Sequence, residues 1–104
     1  MKIDIPNELW NRGARHAARA VGDSMIDAGI EDGDIVFFRR TRNVRGARGH
    51  VVICRVNSGI YIKRLALVGE QIHLESENAA AAYPTIVVRP HDEVELYGVV
   101  LLPH

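Results

Sequence analysis

The sequence predicts a mainly β fold, an all-β barrel or coiled sheet, and three observations carry that expectation. Short runs rich in Val, Ile, Phe and Tyr recur from residue 35 to residue 102. Turn-forming residues separate these runs at close spacing. A hydrophobic content of 47% against 25% charged residues, in a chain of 104, describes one globular core with no room for a second.

The elements follow in order. Residues 6–19 form a short helix starting near Asn7 and weakened at Gly13, or residues 17–21 form a strand leading into Gly22; both readings are open. Strands are expected at residues 35–38, 51–56, 60–68, 71–75, 85–89 and 93–102. The turns between them are Glu31-Asp32-Gly33-Asp34, Asn57-Ser58-Gly59, Gly69-Glu70 and the loop at residues 78–84, where Pro84 comes soon after the alanine run at residues 79–82. Residues 1–16 are read as an N-terminal segment and residues 17–104 as a single domain.

Charge narrows the function. Thirteen basic and thirteen acidic residues cancel, so no global field draws nucleic acid or an anionic membrane. Arg39, Arg40, Arg42, Arg45 and Arg48 lack interleaved aromatics and read as a solvated basic turn. Asp27, Glu31, Asp32 and Asp34 do not have calcium-loop spacing, and Asp32-Gly33-Asp34 reads as a turn. Cys54 has no partner for an intrachain disulfide and sits in an apolar run, as a buried hydrophobe would. With neither a membrane-length apolar stretch nor a signal-peptide core in residues 1–6, the expected location is cytoplasmic. Trp10 is expected to anchor the N-terminal segment, in the core or at a dimer contact.

Two residues stand out chemically. Ser24 follows Gly22 at the end of an expected strand and begins a turn whose free N–H groups could bind an oxyanion; equally, it could be an N-cap, with Asp27 completing a capping box. No histidine is placed to serve it as a triad partner. Lys63 is one of only two lysines among the thirteen basic residues, and strand alternation gives it Tyr61, Leu65 and Leu67 as same-face neighbours. Desolvation there would lower its pKa until a neutral amine could act as a base, which arginine could not do; alternatively Lys63 snorkels at a sheet edge.

Segments in order then carry a resemblance. They are Gly22-Asp23-Ser24-Met25-Ile26-Asp27-Ala28-Gly29-Ile30-Glu31-Asp32-Gly33-Asp34, Gly49-His50-Val51-Val52-Ile53, Ile60-Tyr61-Ile62-Lys63-Arg64-Leu65, Leu74-Glu75-Ser76-Glu77-Asn78, Tyr83-Pro84-Thr85-Ile86-Val87-Val88 and Glu95-Leu96-Tyr97-Gly98-Val99-Val100. Together, over roughly residues 17–102, they resemble the C-terminal peptidase domain of the LexA/UmuD family of self-processing serine peptidases, with the UmuD branch most similar. The resemblance implies a LexA/signal-peptidase-like coiled β-sheet with a small barrel-like core and few short helical turns. It implies Ser24 as nucleophile, Lys63 as general base, main-chain N–H groups around Asp23 and Ser24 as the oxyanion site, and Met25 shaping the cleft.

The same resemblance implies a homodimer linked to the SOS response to DNA damage, acting without metal or cofactor. Its substrate would be a peptide segment supplied in cis from a precursor or in trans. A translesion DNA polymerase or a recombinase filament would be a partner, with no direct contact to nucleic acid or membrane. The 23 residues before Ser24 contain no Ala-Gly or Cys-Gly pair of the kind the family cuts in itself, so self-cleavage within this chain is not expected. The alternative is a non-enzymatic homodimeric accessory subunit of an error-prone polymerase, or the oligomerisation domain of a repressor.

Overall fold

The computed structural model describes residues 3–102. Its organising strand is β3 (Val51–Val56), which is apolar on both sides: Val52, Cys54 and Val56 join one core cluster, and Val51 and Ile53 the other. Burial on both faces is why this stretch reads as a continuous apolar run rather than an alternating one. Burial also pushes the Cys54 thiol up to about 11, so it packs as a small uncharged hydrophobe.

Around β3 lie β1 (His16–Arg19), β2 (Ile35–Arg40), β4 (Gly59–Val68), β5 (Gln71–Glu75), β6 (Ile86–Val87) and β7 (Val94–Val100). They form one antiparallel sheet in the order β1-β2-β7-β3-β4-β5-β6. The mainly β fold is as expected. The barrel-like core is not closed: among the described residues β1 and β6 are free edges, and two apolar clusters serve in place of a barrel interior.

Two hairpins fix the registers that matter for the site. Asn57 takes φ 54° between β3 and β4, and its side chain ties the turn down by donating to the Asp92 carboxylate and accepting from the Glu93 N–H. Between β4 and β5, Gly69 takes φ 62°, the positive value a II′ turn needs at its first central position. That two-residue turn sets Leu65 opposite Leu74 and Arg64 opposite Glu75. In β7 the pairing skips from Cys54–Leu96 to Ile53–Gly98, leaving Tyr97 as a bulge residue. The bulge resets the alternation, so Leu96 and Val99 share one cluster while Val100 enters the other. Gly98 is required there, because a Cβ would collide with the Arg39 carbonyl and the Phe38 ring across the β2–β7 pair.

Both readings of the N-terminal segment are partly right. A single helical stretch, α1 (Asn7–Asn11), ends before Gly13, which takes φ 102°, and β1 follows at His16. Leu9, not Trp10, enters the core; Trp10 is 48% exposed, with the Arg15 guanidinium 3.6 Å above its ring. β6 is shorter than expected: its ladder pairs are His73–Val87 and Leu74–Ile86, and beyond them Val88 donates its N–H to the Ile72 carbonyl of β5 at 2.9 Å. No helix among the described residues is long and apolar enough to cross a membrane.

Candidate active site

The loop after β1 presents the serine. The turn at residues 31–34 grips it: the Asp32 carboxylate accepts the Gly22 N–H at 2.7 Å, and Gly33 donates to the Ala20 carbonyl at 2.8 Å. The Asp32 carboxylate therefore acts as a clamp on the loop. Met25 and Ile30, at 3% and 4% exposure, pull the segment into the second core cluster and leave the half-buried Ser24 at the lip. A single 3-10 turn spans Ile26–Ala28; its N-cap is Met25, without a side-chain cap. The capping-box reading of Ser24 and Asp27 is thus corrected: the Asp27 carboxylate accepts the Ala79 N–H at 2.7 Å. The Ser24 hydroxyl and the Asp23, Ser24 and Met25 N–H groups make no hydrogen bond with a described residue.

Residues 77–83 brace this loop from the other side. Glu77 donates its N–H to the Ser24 carbonyl and accepts from the Asp27 N–H, each at 2.8 Å. The Asn78 amide donates to the Asp23 carbonyl at 2.9 Å, and the Tyr83 hydroxyl donates to the Asp23 carboxylate. That bond keeps the Tyr83 phenol protonated to higher pH than usual. Arg64 anchors the brace through a two-pronged pair with Glu77, at 2.6 and 3.0 Å, and its hydrogen bonds to Glu77 hold the guanidinium in its charged form.

Lys63 is the only buried charged residue described, at 8% exposure, and it makes no ion pair among the described residues. Val52 lies across from it on β3. Burial pushes its amine below the usual lysine range. Nζ donates to the Ser76 Oγ at 2.7 Å and lies 5.5 Å from the centre of the Tyr83 ring.

Asp23, Ser24, Met25 and Lys63 all line one cleft of about 620 Å³, walled by apolar side chains such as Ala18 and Ile86. The structure therefore brings the four sequence-identified residues together, although Lys63 donates to Ser76 rather than to Ser24. Ser76, Glu77, Asn78 and Tyr83 carry no expected role in the sequence. For Ser76 a signal existed: extending the hairpin register one step past Arg64–Glu75 sets it opposite Lys63.

A family model described as "Peptidase S24-like" matches residues 1–101. The chain is 35% identical over 97 residues to LexA repressor 2 of Pseudomonas syringae pv. tomato, covering 93% of this chain and 46% of that protein. It is 38% identical over 98 residues to the LexA repressor of Gluconacetobacter diazotrophicus, covering 93% and 37%. It is 34% identical over 100 residues to the LexA repressor of Acidithiobacillus ferrooxidans, covering 96% and 48%. The chain thus spans less than half the length of these relatives.

Proposed function

The chain belongs to the Peptidase S24-like family, and from that premise we propose that it carries a serine–lysine peptidase site with Ser24 as nucleophile and Lys63 as general base. The observation that carries this reading is the pairing, in one apolar cleft, of a serine hydroxyl and a buried lysine that have, among the described residues, no hydrogen-bond partner and no counter-ion respectively. The neutral Lys63 amine takes the Ser24 proton as Oγ attacks a peptide carbonyl. The N–H groups of the Asp23–Met25 segment receive the oxyanion, while Met25 forms the floor of the cleft. Lys63 then gives its proton to the leaving amine. A water, deprotonated in turn by Lys63, hydrolyses the ester on Ser24. No metal or cofactor enters these steps.

The substrate class is a peptide segment with a small-residue bond such as Ala-Gly or Cys-Gly, in cis from a precursor or in trans, in keeping with the LexA/UmuD resemblance. The biological setting is the DNA-damage response, with the domain acting in the cytoplasm as a homodimer. A second reading is favoured by the relatives' name and by the partial coverage: the domain is the oligomerisation half of a repressor, or a dimeric polymerase accessory, and the dyad serves only processing. Under it, Ser24→Ala leaves dimerisation intact.

Peptide cleavage in trans tests the first reading. Only the neutral amine is a base, so the rate rises with pH through the Lys63 pKa. Because burial lowers that pKa, the rise comes at lower pH than the roughly 10.4 of a solvated lysine. A rate independent of pH, or equal for wild type and Ser24→Ala, contradicts the assignment.

A further inference from the structure

We infer that Ser76 is a positioning residue for Lys63, accepting one N–H of the amine so that its remaining lone pair is turned toward the Ser24 side of the cleft. The inference rests on the peptidase reading for its catalytic consequence, but not for the hydrogen bond itself.

The backbone sets this contact. The Gly69-Glu70 turn locks β4 against β5, and the first residue past β5 on this register falls opposite Lys63. A hydroxyl at that position meets Nζ at 2.7 Å without any loop having to close. The surroundings offer Lys63 little else. Val52 faces it from β3. The Asp23 carboxylate is taken up by the Tyr83 hydroxyl, and Glu77 is bound by Arg64. Arg19, which also lines the cleft, donates to the Gly33 carbonyl and brings only like charge. Tyr83 supplies a ring face at 5.5 Å, a weak and poorly directed restraint on an amine. Among the described residues, Ser76 is therefore the one directional contact that fixes where the end of a long, rotatable side chain sits.

Direction of donation is the crux. A neutral amine keeps two N–H groups and one lone pair. If Ser76 accepts, the lone pair stays available to Ser24; if Ser76 donates, it blocks the base. The two cases move the lysine titration in opposite directions. An accepting hydroxyl favours the ammonium, so its removal lowers the Lys63 pKa further, whereas loss of a donating hydroxyl raises it.

The chain contains only Lys2 and Lys63, so lysine-selective 13C/15N labelling gives two side-chain signals, assigned with Lys2→Arg. In the full chain, Ser76→Ala is expected to lower the Lys63 pKa and change its Cε and Nζ shifts, and Ser76→Thr to restore both. In the peptide assay Ser76→Ala should cut kcat roughly tenfold with KM little changed, the size of one lost hydrogen bond. An unchanged Lys63 titration, or one moved upward with higher activity, overturns the assignment. Should wild type prove inactive on peptides, the peptidase reading fails while the titration still decides the role of Ser76. Truncating a half-buried hydroxyl leaves the core untouched, and the Ser76→Thr variant controls for any loss of fold.

Discussion

Peptide cleavage is expected to fall about 10⁴-fold when Lys63 is replaced by alanine or methionine, the upper range for losing a general base. Methionine fills the buried stem of the lysine without its amine, so an equal loss in both variants assigns the effect to proton transfer rather than packing. Lys63→Arg should be as inactive, because a guanidinium keeps its proton at any accessible pH. Ser24→Ala should cost as much, and the double variant no more than either, since nucleophile and base act as a unit. Activity within tenfold of wild type in Lys63→Met would remove the lysine from the mechanism.

The second large effect is on stability. Leu74 is fully buried, set opposite Leu65 on β4 and Ile86 on β6, and it sits in the larger core cluster two positions before Ser76. Leu74→Ala should lower the free energy of unfolding by about 2–5 kcal/mol through lost transfer energy and the cavity left behind. Ile60, 64% exposed on the neighbouring strand, is the control: Ile60→Ala should change stability by no more than about 0.5 kcal/mol. Urea unfolding measures both, and comparable midpoints would mean that Leu74 is not packed between Leu65 and Ile86 in the larger core cluster.

How far the sequence reveals this structure depends on how local the deciding interactions are. β3 and β5 match their expected bounds, and β4 gains only Gly59, because alternation and turn residues act within a few positions. Lys63 was legible for the same reason: its same-face neighbours on β4 are fixed by strand periodicity. Ser76 was legible in principle, since a two-residue turn and an antiparallel register determine it. The conformation of Ser24 was not. Ser-x-x-Asp satisfies the local capping pattern, but the Ala79 N–H, 52 residues along the chain, claims the Asp27 carboxylate. Nor was the division of labour between Leu9 and Trp10, because a helix of five residues has too few positions to show a periodic face. The bulge at Tyr97 and the close approach of Arg39 to Gly98 beside it involve strands distant in sequence.

The serine–lysine dyad is tested most directly by covalent trapping with a fluorophosphonate, followed by intact mass and peptide mapping. The chain has three serines, Ser24, Ser58 and Ser76, so the site of reaction is unambiguous. A single adduct on Ser24, formed faster as pH rises and lost in Lys63→Met, is the expected result. Labelling of Ser58 or Ser76 instead, or labelling of Ser24 at the wild-type rate in Lys63→Met, would contradict it.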